Sequence, residues 1–268
     1  MDQSVYIIPH DFTNVGDNAL KYGLFLAKSR NVKIFLLHVV DKENSRTQVL
    51  EKLQTIIDNL DLKVGDCEVV PAVEVGSIFD TIPKFAEQEK AQLIIMGTHG
   101  AQGMQKLFGS YAMKVVTNSK VPFLVVQDGV LNFQIKNIVI PITYSKESLQ
   151  VLNIGMKIAS MFDAKIHIAV ENYSDSGLIQ KTKIRINLIT KQFEEYGVEH
   201  VIETIKHKNF QKGVISYAKT NNCDIIAVAH YSNSLIPQLD RFTQGLITND
   251  ENIPCLVMNS QLLSSLYF

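Results

Sequence analysis

Three short segments carry residues able to hold an anion or place a charge: Pro9-His10-Asp11-Phe12-Thr13, His38-Val39-Val40-Asp41 and Gly97-Thr98-His99-Gly100-Ala101-Gln102-Gly103. The third is the richest. Gly97, Gly100 and Gly103 are followed by Gly109-Ser110. Glycines let backbone N–H groups approach an anion with no Cβ in the way. A helix N-terminus adds unpaired N–H donors and the positive end of a dipole, and Ser110 adds a hydroxyl. These parts suit the holding of a phosphate. The same glycines also suit a tight strand-to-helix loop that only turns the chain, and the residues alone leave both readings open. No Gly-Lys-Ser/Thr exists, so this is not a Walker loop, and no Gly-x-Gly-x-x-Gly follows the first strand.

Asp11 follows an apolar run and has two readings, an Asx turn before a helix or a charge brought to a ligand. His10, His38 and His99 fall at strand ends beside it. They could converge on a metal, although no pair has a recognised ligand spacing, or be ordinary strand-end histidines. Lys106 and Lys114 flank Gly109 and read as solvated, as does the run from Lys181 to Arg185. No Gly-x-Ser-x-Gly elbow occurs, and no catalytic Ser/His/Asp set can be built. The expectation is therefore no catalytic residue and no metal site.

The elements that must position these residues follow from periodicity. Residues 4–9, 33–39, 67–73, 92–97 and 122–127 read as strands, and residues 16–29, 49–60, 77–89 and 105–118 read as helices. Ser77 is the expected N-cap of the third helix, with Asp80 in its first turn. Continuous apolar strands alternating with helices call for a mostly parallel sheet covered on both faces. The plan then repeats at an offset of 132 residues: Pro9 falls on Pro141, Lys33-Ile34 on Lys165-Ile166, Ile94 on Ile226, and Leu124-Val125 on Leu256-Val257. The repeat fails where chemistry would sit. Asp11 falls on Thr143, Gly97 on Ala229, Gly100 on Ser232, and Gly109-Ser110 near Asp240-Arg241. An intact site is expected in the first half alone.

Composition bounds the partners. There are 268 residues, 26 Lys+Arg against 27 Asp+Glu, and no Trp. Neither a basic surface nor an aromatic and basic stripe exists for nucleic acid. Apolar runs are strand-sized, so no membrane span is expected. Met1-Asp2-Gln3-Ser4 does not open a secretory signal. Cys67, Cys223 and Cys255 are odd in number and without Cys-x-x-Cys, which fits small buried hydrophobes in a reducing, cytoplasmic setting.

Met96-Gly97-Thr98-His99-Gly100, Gly109-Ser110 and Val121-Pro122-Phe123-Leu124-Val125-Val126 together resemble the C-terminal signature of the universal stress protein family. The segments at 9–13 and 37–41 resemble its first and second strand ends. The resemblance covers both halves and implies two tandem, doubly wound α/β domains of the adenine nucleotide alpha hydrolase-like type, at residues 1–130 and 135–268. Each would hold a five-stranded parallel sheet of order 3-2-1-4-5. In the family's nucleotide-binding branch ATP, with or without Mg²⁺, lies across strands 1 and 4. Carried over, Asp11 would lie near the ribose or metal side. Val39 would offer its backbone to adenine, with Met96 alongside. Gly97, Gly100, Gly109 and Ser110 would line ribose and phosphates. One departure stands out: eight residues rather than nine separate Gly100 from Gly109. The resemblance implies a stress-response binding protein with an N-terminal nucleotide site and a structural C-terminal domain. Its rivals are a nucleotide-free scaffold working through protein contacts and a slow ATPase. It also implies domain pairing through the last strands, 122–127 and 254–259, within one chain or in a homodimer.

Overall fold

A computed structural model describes residues 3–28, 30–60, 67–98, 108–129, 133–230 and 237–260, with the side chains of 108–111 and 237–240 outside that description. The chain divides into two compact units, Met1–Phe133 and Gln134–Phe268.

Unit 1 runs β1 (Ser4–Pro9), α1 (Asn14–Ala27), β2 (Val32–Val40), α2 (Arg46–Asp58), β3 (Cys67–Val75), α3 (Ile78–Gln88), β4 (Leu93–Thr98), α4 (Phe108–Thr117) and β5 (Phe123–Gln127). All its strand pairs are parallel, in the order β3-β2-β1-β4-β5. A parallel sheet buried on both faces needs continuous apolar strands. Ile7, Ile8, Ile34, Leu36, Ile94 and Ile95 accordingly have no exposed surface. Right-handed crossovers put α1 and α2 on one face and, after the direction reverses between β1 and β4, α3 and α4 on the other.

Local chemistry sets the helix ends. Ser77 caps α3 by accepting the Phe79 N–H at 3.3 Å. Pro83 lies inside α3 and has no N–H to give the Phe79 carbonyl. The Asn118 side-chain amide, just past the end of α4, takes that carbonyl at 3.4 Å. α1 starts at Asn14, earlier than the apolar pattern from residue 16 indicates, because its first turn, Asn14-Val15-Gly16-Asp17, holds a single apolar side chain.

Unit 2 runs β6 (Asn137–Ile142), α5 (Leu152–Phe162), β7 (Lys165–Glu171), α6 (Ser176–Glu195), β8 (His200–Ile205), α7 (Phe210–Thr220), β9 (Ile225–His230), α8 (Pro237–Ile247) and β10 (Cys255–Asn259). Its order, β10-β9-β6-β7-β8, is the same order with the unit's own strands numbered from one. The 132-residue offset reappears in a bond the periodicity does not reveal. Gln92 Oε1 accepts the Val5 N–H at 2.5 Å, and Asp224 Oδ2 accepts the Asn137 N–H at 3.0 Å. Both bonds tie the start of a unit's fourth strand to the start of its first. Among the described residues no helix is long and apolar enough to cross a membrane.

Candidate functional site

In a doubly wound sheet the ligand crevice opens beyond the strand carboxyl ends where strand order reverses, here between β1 and β4. Three backbone features shape it in unit 1. The first is that β2 outruns β1. The Leu37 carbonyl accepts the His10 N–H at 2.8 Å and so faces β1, whereas the Val40 carbonyl accepts the Gly76 N–H at 2.9 Å and faces β3. Backbone groups alternate in direction along a strand, so the N–H and C=O of Val39 face the β1 side. There β1 has already ended at Pro9, which pairs with Leu37. Val39 thus presents one donor and one acceptor to the space beyond β1.

The second feature is the turn after β1. Asp11 is exposed, and its Oδ1 accepts the Thr13 N–H at 3.1 Å and the Thr13 hydroxyl at 2.5 Å. This is an Asx turn, one of the two readings of Asp11, and it leaves the second carboxylate oxygen without a partner among the described residues. Phe12 adopts φ 62°, a left-handed conformation uncommon outside glycine and asparagine. Its ring lies 5.6 Å from His10 and 4.8 Å from His38, with Lys52 Nζ 5.9 Å away.

The third is a backbone contact through Gly97. A Cβ there would stand 2.2 Å from the Val15 carbonyl oxygen and 2.5 Å from its carbon. Gly16 is tight on its other side, where an added Cβ would meet Asp11 Oδ1 at 3.0 Å and the His10 ring at 3.1 Å. The first turn of α1 is therefore wedged between the ends of β1 and β4. This wedge brings Asp11 and Gly97 to opposite sides of one helical turn. Met96 is half-buried next to Gly97, two residues beyond the β1–β4 pairing of Ile7 with Ile94. Gly109 and Ser110 lie in the first turn of α4, and the Ser110 side chain is outside the described residues. Gly100, His99 and Lys106 also lie outside them. Gly16 was not singled out by the sequence. Its signal is a glycine in the first turn of a helix, where a good helix former costs less.

His10 and His38 make hydrogen bonds within the protein, and His99 lies outside the described residues. His38 Nδ1–H donates to the His10 carbonyl at 2.7 Å. His10 Nδ1 accepts the Phe12 N–H at 3.1 Å, which leaves Nε2 to carry the hydrogen and donate it to Asp17 at 3.1 Å. No three His, Cys, Asp or Glu side chains among the described residues converge as metal ligands.

The model of the universal stress protein family matches residues 7–127. A universal stress protein of Methanocaldococcus jannaschii, MJ0531, is 31% identical over 144 residues, spanning 45% of this chain and 80% of that protein. The chain belongs to the universal stress protein family. A second relative from the same organism, MJ0577, is 26% identical over 150 residues, with 45% of this chain and 93% of that protein covered. The crystal structure of a universal stress protein from Archaeoglobus fulgidus shares the fold. It covers 97% of this chain and all of its own, at 15% identity and a TM-score of 0.70.

In this universal stress protein, unit 2 keeps the scaffold of the crevice and changes its contents. Thr143 Oγ1 accepts the Ser145 N–H at 3.1 Å, repeating the Asp11 turn without a charge. Ala229 stands where unit 1 has Gly97. The segment matching the α1 first turn is no longer α-helical: Lys146–Leu149 is a short 3₁₀ turn, and α5 starts at Leu152. A Cβ on the fourth strand forbids the close α-helical approach, and a pocket whose lining includes Thr143, Glu147, Ser148 and Ala229 lies there instead. At the position of Val39 stands Glu171, which accepts a hydrogen bond from the Tyr173 hydroxyl. That hydroxyl in turn accepts the Tyr144 N–H at 3.2 Å, and the two tyrosine rings meet edge to face at 5.8 Å. Burial raises the Glu171 carboxyl above its usual range, the hydrogen bond from Tyr173 opposing the shift. The space beyond β6 is thus bridged by side chains.

Proposed function

We propose that unit 1 binds ATP or a related adenine nucleotide across the carboxyl ends of β2, β1 and β4. On this reading unit 2 is a structural partner with no nucleotide site, and the protein acts in the cytoplasm as a binding and regulatory component of a stress response. The observation that carries the reading is the outward-facing backbone of Val39. An adenine edge offers an amino donor and a ring-nitrogen acceptor, which complement one carbonyl and one N–H. Asp11 lies across the crevice with a carboxylate oxygen to spare for a ribose hydroxyl or Mg²⁺. Gly97, Gly100 and the first turn of α4 at Gly109-Ser110 supply the phosphate side through backbone donors. The near-neutral charge of the chain, −1, agrees with phosphate recognition by amides rather than by a basic surface.

Isothermal titration of the full chain with ATP and Mg²⁺ tests this. One site per chain is expected. No site refutes the nucleotide reading, and two equal sites refute the asymmetry. The eight-residue spacing before Gly109 favours one rival, a scaffold that binds no nucleotide, and the same titration decides between them. Pairing of β5 with β10 within one chain belongs to the proposal, since it covers two sheet edges. A monomer in sedimentation velocity is its expected signature, and a dimer points to pairing between chains.

A further inference from the structure

We infer that His10 is a positioning residue: its Nδ1 holds the Phe12 amide and thereby keeps the β1–α1 turn in the conformation that presents Asp11 and Phe12 to the crevice. The inference rests on the nucleotide reading for its functional consequence but not for its structural one. His10 is 4% exposed, at the carboxyl end of the first strand. Each of its polar atoms is used. The backbone N–H donates to Leu37 and the carbonyl accepts from His38. Nε2–H donates to Asp17, and Nδ1 accepts from Phe12.

The direction of these bonds gives the ring its role. An amide N–H can only donate, so Nδ1 must be the unprotonated nitrogen. Asp17, one turn into α1, enforces that tautomer by taking the hydrogen on Nε2. Phe12 is left-handed, a conformation that a bulky residue keeps only where its surroundings over-determine it. The Nδ1 bond and the edge-on ring contact supply that determination. The same turn sets the Asp11 carboxylate one residue back and lays the Phe12 ring on His38, the neighbour of Val39. The packing around Gly16 shows how little slack exists, since an added Cβ there would meet both His10 and Asp11. His10 touches no ligand position itself. It acts through Phe12 and Asp11.

The test uses the full chain and two isosteres. Asparagine places its amide oxygen where Nδ1 stands, and glutamine places its polar end where Nε2 stands. Hydrogen exchange at the Phe12 amide, followed by NMR, is the ligand-independent readout, with a fluorescent ATP analogue and Mg²⁺ as the binding probe. His10→Asn is expected to retain slow exchange at Phe12 and affinity within about threefold of wild type. His10→Gln is expected to speed that exchange about tenfold and weaken binding about tenfold, as the loss of one hydrogen bond implies. If His10→Gln does not fold, Asp17→Leu serves instead, because it removes the acceptor that fixes the tautomer. It is expected to raise Phe12 exchange about threefold. Equal exchange in the Asn and Gln variants, or wild-type exchange in Asp17→Leu where that variant is needed, overturns the inference. Absence of analogue binding to wild type refutes the nucleotide reading, while the split in Phe12 exchange still decides the role of His10.

Discussion

Gly97→Ala is the sharpest perturbation the fold offers. The added Cβ would lie 2.2 Å from the Val15 carbonyl oxygen, whereas ordinary contact begins near 3.4 Å. The first turn of α1 would have to retreat by about 1 Å, and it cannot do so alone. Gly23, two turns on, lies against the sheet at Ile8, where an added Cβ would stand 2.4 Å from the side-chain Cδ1. Backbone cannot change rotamer, so the cost lies at the upper end for overpacking, about 3 kcal/mol. Converted at 1.4 kcal/mol per factor of ten, this is a rise of about 100-fold in the population opened through unit 1. Hydrogen exchange by mass spectrometry can read the two units separately in the intact chain. Peptides covering β1, α1 and β4 should exchange about 100-fold faster, and those covering β6 and β9 should not change. Exchange in unit 1 within about twofold of wild type would refute the argument that this glycine is kept for a backbone contact. Unit 2 supplies the natural control, since it carries Ala229 and has given up the α-helical first turn.

Asp11→Ala removes the Asx turn and should cost about 1 kcal/mol in urea unfolding. Asp11→Asn keeps the turn and should be near neutral for stability, yet weaken ATP binding if the carboxylate serves ribose or Mg²⁺. In unit 2 burial raises the Glu171 carboxyl, so this group contributes stability below the ordinary carboxylate range and loses it as pH rises through the raised value. Glu171→Gln should flatten that part of the profile and stabilise unit 2 at neutral pH. His167 runs the other way. Burial, reinforced by Lys165 and opposed by Glu199, lowers it, so its contribution is present above about pH 6.5 and is lost as pH falls through the lowered value. His167→Gln should remove that loss in an acid titration followed by circular dichroism. Burial pushes the Cys223 thiol up to about 12 and raises Cys255 further, while Cys67 is only half-buried. Alkylation at pH 8 should therefore label Cys67 first, and equal labelling of all three would contradict the buried placement.

Much of this architecture is legible in the sequence because it rests on local signals. The buried strands are continuous apolar runs, and the repeat follows from a constant offset between them. Ser77 also announces its helix by type and position. What the sequence hides are contacts between residues far apart along the chain. Gln92 reaches back to Val5, and Asp224 reaches back to Asn137 in the same way, but nothing local to either residue signals a partner 87 positions away. His10 illustrates the same limit at the site. Its type suggests a ligand or a loop histidine, whereas its bonds come from Phe12, Asp17, Leu37 and His38 and make it a strut. The loss of Gly97 to Ala229 is visible as a letter change. Its consequence, a helical turn recast as 3₁₀, needs the neighbouring backbone to be seen.

The reach of β2 past β1 bears on how such a site can evolve. Recognition through the Val39 main chain does not depend on which side chain residue 39 carries, so substitutions scanned there one by one would report an unimportant position. What tunes such a site is relative strand length. Extending β1 by two residues would satisfy the Val39 N–H and C=O internally and close the crevice without altering any side chain that lines it. Variation in this lineage should therefore be sought in insertions and deletions at the β1–α1 turn, which residue-by-residue comparison reads as alignment noise.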